Sequence, residues 1–195
     1  MLDSCMRYEI LKRLIDVVAS SAALVLLSPV LLAVATAIRM ESTGNPLFFQ
    51  QRVGRYGAVF PLVKFRSMVR DAPHLGSWRT ADNDPRITPF GRFIRRTSLD
   101  ELPQLWNVLT GDMSLVGPRP QTPAQHPLYS HGDWQGRHLV RPGITGLAQV
   151  NGRSAITLDK QIEYDLKYAT HVSFMMDMHI LWLTIVQVVR KAGVN

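Results

Sequence analysis

The sequence is poor in the residues that build disulfides and zinc sites. It contains one cysteine, Cys5, so no intramolecular disulfide can form, which fits a reducing, cytosolic location for the folded part. Its six histidines show neither an H-E-x-x-H motif nor a Cys/His cluster, which argues against a zinc site. The sequence shows no internal repeat and no low-complexity segment. Its 195 residues, 46% of them hydrophobic, are enough for one domain with a core.

Acidic residues are also scarce. Fifteen Asp and Glu stand against 22 Lys and Arg, giving a formal charge of +7. Such a balance suits nucleic acid, anionic lipid or a phosphorylated substrate. No helix-turn-helix, RNP or zinc-finger pattern supports a nucleic-acid partner. A basic, membrane-tethered binding module without catalysis remains the alternative from a different functional class.

One long uncharged run extends from Val17 to Ile38 and has 22 residues. As a straight helix it would be roughly 33 Å long, enough to cross a bilayer. It is too long for an ordinary signal peptide, although Ala35-Thr36-Ala37 resembles a cleavage site. The remaining alternatives are a spanning anchor and a re-entrant hairpin that is broken at Ser28-Pro29.

The charges that flank this run favour the hairpin. Both flanks are cationic: Arg7, Lys12 and Arg13 precede the run, and Arg39, Arg52 and Arg55 follow it. By the positive-inside tendency both ends therefore prefer the cytoplasm. A helix that breaks at Ser28-Pro29 would dip into the membrane and return, with arms of 10 to 12 residues that reach about half of the hydrocarbon core.

The segment from Thr97 to Pro120 places two adjacent carboxylates, Asp100 and Glu101, before apolar residues at helical spacing. Pro103 fits only in a first turn, which predicts a helix that begins near Ser98 to Asp100. Unpaired amide groups and the positive end of the helix dipole would then keep the carboxylates ionised and would suit a phosphate.

The other segments are assigned by turn residues and periodicity. The sequence predicts an extended segment from Pro46, a strand at Phe60–Phe65, loops at Asp71–Pro89 and Gln121–Gly136, rigid turns at Gly117–Pro120 and Arg141–Gly146, and helices at Thr157–Thr170 and Val172–Val189. The last helix lies on the core or on the bilayer surface.

The adjacent carboxylates indicate divided roles, because neighbouring side chains on a helix do not face each other. One carboxylate could attack phosphorus while the other holds Mg²⁺, which needs few protein ligands when it also binds substrate phosphates. Attack of an anion on an anion requires cations nearby. The candidates for this phosphate-binding role are Lys64, Arg66, Arg96, Arg119 and Arg141.

Each of these residues also has a structural interpretation. Ser98 and Glu101 fit a capping box, and single arginines often form surface ion pairs. Lys64 could snorkel, and Asp165 could belong to a helix-surface pair. Trp106 and the methionines at 175, 176 and 178 are better explained as core or lipid-facing packing than as a cofactor site.

Three long motifs resemble those of the bacterial sugar transferases, the monotopic polyprenyl-phosphate phosphoglycosyl transferases. They are KFRSM at 64–68, SLDELPQLWNVLTGDMSLVGPRP at 98–120 and RPGITGLAQVNGR at 141–153. The resemblance implies an enzyme that transfers a sugar 1-phosphate from a UDP-sugar to polyprenyl (undecaprenyl) phosphate and releases UMP. It implies a ping-pong mechanism through a phosphosugar-aspartate, in the first membrane step of surface polysaccharide or glycoprotein assembly.

The resemblance also assigns roles. It implies that Asp100 is the nucleophile and that Glu101, beside Asp100, holds Mg²⁺. Lys64, Arg119 and Arg141 match active-site cations, Asp165 matches a further active-site acid, and Ser28-Pro29 matches the break of the re-entrant helix. Family members often have a tryptophan after NGR, where this chain has Ile156-Thr157-Leu158, which puts local packing in doubt.

These expectations combine into one architecture. We predict a helix-rich α+β protein with a tail and re-entrant membrane helix at 1–40 and a catalytic domain with interfacial amphipathic helices at 41–195. It would be the minimal form of the family, on the cytoplasmic face of the bacterial inner membrane, in contact with lipid and not with nucleic acid. The sequence leaves open the sugar and the oligomeric state, with a homodimer as one alternative, and a metal-assisted phosphohydrolase remains a second enzyme alternative.

Overall fold

The structure is a computed structural model that describes residues 2–72, 84–152 and 155–189, with side chains from Tyr8 to Val188 within those ranges. Its helices are α1 (Leu2–Leu26), α2 (Ser28–Glu41), α3 (Pro89–Arg96), α4 (Gln104–Thr110), α5 (His131–Arg137), α6 (Leu147–Val150), α7 (Leu158–Thr170) and α8 (Phe174–Val189). Its strands are β1 (Leu47–Val53), β2 (Val59–Phe65), β3 (Ser114–Val116) and β4 (Gly143–Thr145). The described residues form a small, helix-rich α+β fold, as predicted.

The apolar run is broken where the sequence predicts. α1 ends at Leu26, α2 begins at Ser28, and the two helices are bent by 61° at the break. Pro29 lies in the first turn of α2, where its missing amide hydrogen leaves no helix bond unmade. The Ser28 hydroxyl donates to the Val25 carbonyl oxygen at 2.8 Å. The break is therefore a local property of these two residues.

The two arms are longer than predicted. α1 has 25 residues and α2 has 14, because the helices continue through charged residues on both sides of the apolar run. In the part of the chain that the structure describes, no single helix is both long and apolar enough to cross a bilayer. The bent pair meets that criterion together, by length and composition alone. Its re-entrant course through a membrane stays a prediction.

The first half of α1 packs on α4 and β3. The Arg13 guanidinium donates to the carbonyl oxygens of Val108 and Leu109 at 2.6 and 2.8 Å, which caps the C-terminal end of α4. The buried Asp16 carboxylate accepts a hydrogen bond from the Leu115 amide at 3.0 Å. Side-chain contacts thus cross the predicted division at residue 40, and the division itself stays a prediction.

The strands β1 and β2 form an antiparallel hairpin that confirms both extended segments. The buried side chain of Asn107 fixes this hairpin to α4, since it accepts from the Val63 amide and donates to the Pro61 carbonyl oxygen, both at 2.9 Å. Phe60 and Leu62 pack in one core cluster with apolar residues from α4 and from the segment that follows it. These contacts place Lys64, near the end of β2, beside the turn that precedes α4.

Two motifs pack directly against each other through the parallel pair of β3 and β4. A Cβ atom at Gly117 would lie 2.3 Å from the Arg141 carbonyl oxygen, and one at Gly143 would lie 2.1 Å from the Gly117 amide nitrogen. No larger residue fits at either position without moving backbone. The glycines therefore bring the turn around Arg119 next to the turn around Arg141.

Other predictions are confirmed or corrected. The helices α7 and α8 lie where predicted, and Thr157 caps the start of α7. The predicted loop at Gln121–Gly136 contains a 3-10 segment at Pro123–Leu128 and the helix α5, whose N-terminus Ser130 caps. Trp106 and Met175 are exposed, which excludes core packing for these two. The predicted loop at Asp71–Pro89 and the NGR motif fall partly outside the described residues.

A buried carboxylate joins α8 to α1. Asp177 accepts hydrogen bonds from the Lys12 ammonium at 2.6 Å and from the Tyr168 hydroxyl at 2.7 Å, and the Tyr8 hydroxyl also donates to it. Its side chain is 4% exposed and that of Lys12 is 16% exposed. A charge at this depth is tolerated because it is paired and hydrogen-bonded.

We expect Asp177→Ala to lower the free energy of unfolding by about 3–5 kcal/mol, because the substitution leaves the Lys12 ammonium unpaired and largely buried. The matched control is Asp159→Ala, which removes an exposed carboxylate from α7 and should cost about 0.5 kcal/mol or less. Denaturant unfolding of the detergent-solubilised protein measures both. Equal losses for the two variants would contradict this account of Asp177.

Candidate active site

The two carboxylates lie in a 3-10 turn, Leu99–Glu101, and the α-helix starts later than predicted, at Gln104. The reason is Pro103, which has no amide hydrogen to bond the Leu99 carbonyl oxygen and whose ring would crowd that oxygen. The turn closes instead through i to i+3 bonds, such as that from the Leu102 amide to the Leu99 carbonyl oxygen at 3.2 Å.

The capping-box interpretation of Ser98 and Glu101 is wrong. Ser98 has a φ of 58° and a left-handed conformation, and its side chain makes no cap hydrogen bond. Its amide donates to the Arg95 carbonyl oxygen at 3.2 Å. The Glu101 carboxylate turns instead toward Arg119, whose guanidinium donates to it at 2.6 Å.

Arg119 is brought to the carboxylate pair from the turn after β3. Its side chain is 48% exposed and that of Glu101 is 24% exposed, so this ion pair faces solvent. The charge of Glu101 is the main cause that raises the Arg119 pKa. An exposed ion pair of this kind contributes little to folding stability, which leaves Arg119 available to an incoming anion.

The environment of Asp100 differs from the prediction. Burial, followed by the charge of Glu101, raises the Asp100 pKa to about 6, while Lys64, Arg95 and Arg119 act in the opposite direction. The prediction assumed a helix N-terminus that would favour ionisation, and the 3-10 turn does not provide one. A carboxyl group with a pKa of about 6 is still mostly ionised at pH 7.

Lys64 reaches the site from β2. Burial, followed by the charge of Arg52, lowers the pKa of Lys64 to about 8, and Asp100 opposes that shift. The ammonium also lies 5.3 Å from the centre of the Phe48 ring. Part of the side chain therefore packs on an apolar surface, as the snorkelling interpretation holds, while its charge acts on the carboxylate.

Two cations of the site were not among the candidates of the sequence analysis. Arg95 is half-buried and its charge acts on the pKa of Asp100, whereas the predicted Arg96 is exposed. Arg52 donates to the Pro120 carbonyl oxygen at 2.9 Å. The alternation along β1 offered a signal for Arg52, since it lies on the same face of the hairpin as Phe48, the cross-strand partner of Lys64.

Two predicted cations are engaged elsewhere. The Arg66 guanidinium donates to the carbonyl oxygens of Ser42 and Thr43, just after α2, at 2.7 and 3.0 Å. The Nε atom of Arg141 donates to the Gly111 carbonyl oxygen at 3.0 Å, beyond the C-terminal end of α4 and thus opposite the carboxylate turn. Neither charge contributes to the pKa shifts of Asp100 or Lys64. A phosphate-binding role for either residue stays a prediction.

Asp165 is buried and does not form the helix-surface pair that was the alternative. It is 1% exposed and forms an ion pair at 2.7 Å with Arg137 of α5, whose side chain is also 1% exposed. The burial of the pair is the main cause that raises the Asp165 pKa, against the charge of Arg137. Arg137 in turn donates to the Arg119 carbonyl oxygen at 2.9 Å. Asp165 is thus connected to the site through Arg137. Arg137 was given no role in the sequence analysis, since it follows directly after the predicted loop at Gln121–Gly136.

The assembled site combines two adjacent carboxylates with several cations. No group of three or more histidine, cysteine or acidic residues that could hold a metal occurs among the described residues. The adjacent carboxylates of Asp100 and Glu101 are hard oxygen donors and suit Mg²⁺, which completes its coordination with water and substrate phosphates.

Comparison with known proteins finds similarity along nearly the whole sequence. The sequence matches the family described as bacterial sugar transferase over residues 7–191. It is 44% identical over 187 residues to a Bacillus subtilis (strain 168) protein described as uncharacterized sugar transferase EpsL, covering 95% of this chain and 91% of that protein. It is 44% identical over 183 residues to the UDP-glucose:undecaprenyl-phosphate glucose-1-phosphate transferase of Klebsiella pneumoniae, covering 90% of this chain and 39% of that protein.

A third relative is named for a different sugar. The UDP-N-acetylgalactosamine-undecaprenyl-phosphate N-acetylgalactosaminephosphotransferase of Aeromonas hydrophila is 42% identical over 188 residues, covering 91% of this chain and 43% of that protein. This chain spans about two fifths of the length of the two relatives whose names specify a sugar. The match over nearly the whole sequence confirms the resemblance of the motifs: the chain belongs to the bacterial sugar transferase family and is a transferase.

Proposed function

We propose that the chain transfers a sugar 1-phosphate from a UDP-sugar to polyprenyl phosphate and releases UMP. The observation that carries this proposal is the position of Asp100 and Glu101 in one turn, surrounded by the charges of Lys64, Arg95 and Arg119. The names of the relatives, which specify UDP-sugars and undecaprenyl phosphate, support the same substrates.

In the first step a carboxylate oxygen of Asp100 attacks the phosphorus that bears the sugar. A bond forms between this oxygen and phosphorus, the bond from phosphorus to the bridging oxygen breaks, and UMP leaves with that oxygen. Two unit charges 4 Å apart repel by about 4 kcal/mol at an effective dielectric of 20. Lys64 and Arg119 offset this repulsion, because both bring positive charge to the place where the phosphate oxygens must lie.

In the second step the phosphate oxygen of the polyprenyl phosphate attacks the same phosphorus. The bond to Asp100 breaks and the carboxylate is regenerated. Glu101, beside Asp100, would hold Mg²⁺, which supplies further charge neutralisation at the phosphates. Arg119 would then exchange part of its contact with Glu101 for contact with phosphate, for which its planar fork is suited.

Single-turnover kinetics test the covalent step. Enzyme, UDP-sugar and magnesium without lipid should give at most one UMP per active site in a burst, because Asp100 retains the phosphosugar. Mass spectrometry should find the phosphosugar on the peptide that contains Asp100. Chelation of magnesium should abolish the burst, and a panel of UDP-sugars identifies the donor.

The control is Asp100→Asn, which keeps the size of the side chain and should show neither burst nor adduct. A strict requirement for lipid before any UMP appears would indicate direct transfer in a ternary complex. Continuous release of sugar phosphate without lipid would indicate the phosphohydrolase alternative. Either result would contradict the proposed mechanism.

The pKa of Lys64 predicts how the first step depends on pH. A lysine with a lowered pKa of about 8 is charged below that pH and loses its charge as the pH rises through it. We therefore expect kcat/KM for UMP release, which reports the free enzyme, to fall above a pH of about 8. In Lys64→Arg the fall should move to higher pH because arginine stays charged. A profile that is flat to pH 9.5 in both proteins would contradict this role for Lys64.

We also propose that the protein lies on the cytoplasmic face of the inner membrane. Exposed apolar residues follow one side of α1, at Leu14 and Val18, and one side of α8, at Met175, Trp182 and Ile185. Asp177 links the two helices, so α8 lies beside α1, the first arm of the bent apolar pair. Lipid contact would cover both surfaces, as expected for interfacial amphipathic helices.

Thiol labelling tests this topology. A membrane-impermeant reagent added outside the inner membrane should miss Cys5 in the native sequence and position 45 in the double variant Cys5→Ser, Asn45→Cys, because both lie on the cytoplasmic side. Both positions should react after permeabilisation. Replacing Ser28 and Pro29 with alanine and leucine should straighten the helix and expose Cys5 to the reagent. External labelling of Cys5 in the native sequence would establish a span.

A further inference from the structure

The turn that carries Arg119 is held in place by hydrogen bonds from other segments of the chain. Pro118 and Pro120 have no amide hydrogen, so at these positions the turn cannot donate a backbone hydrogen bond. Four consecutive carbonyl oxygens, of residues 118 to 121, instead accept bonds from four separate groups. In order, the donors are the Gly143 amide at 3.0 Å, the Arg137 guanidinium at 2.9 Å, the Arg52 guanidinium at 2.9 Å and the Val53 amide at 2.9 Å.

Of these donors, the Arg137 guanidinium has the most contacts of its own. Its Nε and one amino group bind Asp165 at 3.2 and 2.7 Å, and its other amino group lies 3.4 Å from Nε2 of His138. The Tyr129 ring lies 5.3 Å from its centre. Burial, followed by the charge of Arg137, lowers the His138 pKa to about 4, so the ring is neutral and its Nε2 accepts while Nδ1 donates to the Trp134 carbonyl oxygen. Four of the five donor hydrogens of this guanidinium thus have a partner.

A buried ion pair is a weak source of stability, because the cost of removing both charges from water offsets much of their attraction. The pair between Arg137 and Asp165 has a second consequence. It fixes a guanidinium that also donates a hydrogen bond to the backbone of Arg119, the residue whose side chain meets Glu101. Arg137 therefore holds the backbone of the same residue, Arg119, whose side chain carries its charge to the site.

We propose that Arg137, held in place by Asp165, is a positioning residue that fixes the backbone of Arg119 and so aims its guanidinium at Glu101 and the substrate phosphate. Asp165 then acts on the reaction only through Arg137. The proposal rests on the proposed function and adds to it an element that acts without touching substrate. Its catalytic effect follows from geometry, since a displacement of about 1 Å at a reacting group can lower a rate on the order of 100-fold.

The experiment compares the removal of one charge with the removal of both. Arg137→Met alone leaves the Asp165 carboxylate buried and unpaired, which should destabilise the protein strongly. The double variant Arg137→Met, Asp165→Leu removes both charges and should fold with a thermal midpoint near that of the wild type. If the pair only stabilises the fold, the double variant recovers full activity. If Arg137 positions Arg119, kcat for UMP release stays lowered by roughly 10- to 100-fold.

A thermodynamic cycle with Arg119 separates positioning from a general disturbance. In an Arg119→Met background the two substitutions at 137 and 165 should change kcat by less than about 2-fold, because there is no guanidinium left to aim. An additive loss in that background would overturn the proposal. The matched control Lys160→Met, Glu163→Leu removes an exposed ion pair of α7 and should leave kcat unchanged in both backgrounds.

A third variant covers the case in which the double variant does not fold. Arg137→Lys keeps a positive charge beside Asp165 but cannot bind both the carboxylate and the Arg119 carbonyl oxygen with one fixed fork. It should retain the thermal midpoint better than Arg137→Met and still show lowered kcat, with the loss absent in the Arg119→Met background. Wild-type activity in Arg137→Lys would overturn the proposal. Absence of activity in the wild type with every UDP-sugar would instead refute the proposed function.

Discussion

The close approach of Gly117, just after β3, and Gly143, the first residue of β4, is the constraint on which the rest of the site depends. Gly117 and Gly143 meet with no room for a Cβ atom on either side. This contact brings the turn that carries Arg119 between the β1–β2 hairpin and α5, where side chains and amides of other elements bind its carbonyl oxygens. The turn is consequently fixed at four successive residues without any regular secondary structure of its own.

Rigidity of this turn matters because the site must hold several like charges near one another. Asp100 and Glu101 repel each other, and burial, followed by the charge of Arg52 and other arginines, lowers the pKa of Lys64. Neither set would remain in place on a mobile loop, since the mutual repulsion would separate the charges. The carboxylates are held by the 3-10 turn before Pro103, and the cations are held by β2, α3 and the turn after β3. Substrate phosphates and a metal ion, as proposed, would then bind among charges whose positions are already fixed.

The N-terminal helix connects this site to the apolar segment. Arg13 caps α4, Asp16 binds the amide of Leu115, and Lys12 pairs with Asp177 of α8. One continuous helix therefore runs from the apolar break at Leu27 to the elements that carry the carboxylates. Under the proposed membrane placement, this helix would set the distance of the site from the lipid, because α1 has no break between Leu2 and Leu26.

Local sequence determined much of this protein. Residues with fixed backbone preferences set the break at Ser28-Pro29, and alternating or helical periodicity set β1, β2, α7 and α8. The motifs also identified the carboxylate pair and the family. Tertiary structure alone decided which cations act near that pair, Arg95 in place of Arg96 and the unpredicted Arg52, and that Arg137 binds the backbone of Arg119. It also decided that the Asp100 pKa rises. The physical reason is that side-chain direction and burial depend on contacts between segments far apart in sequence, which no local pattern contains.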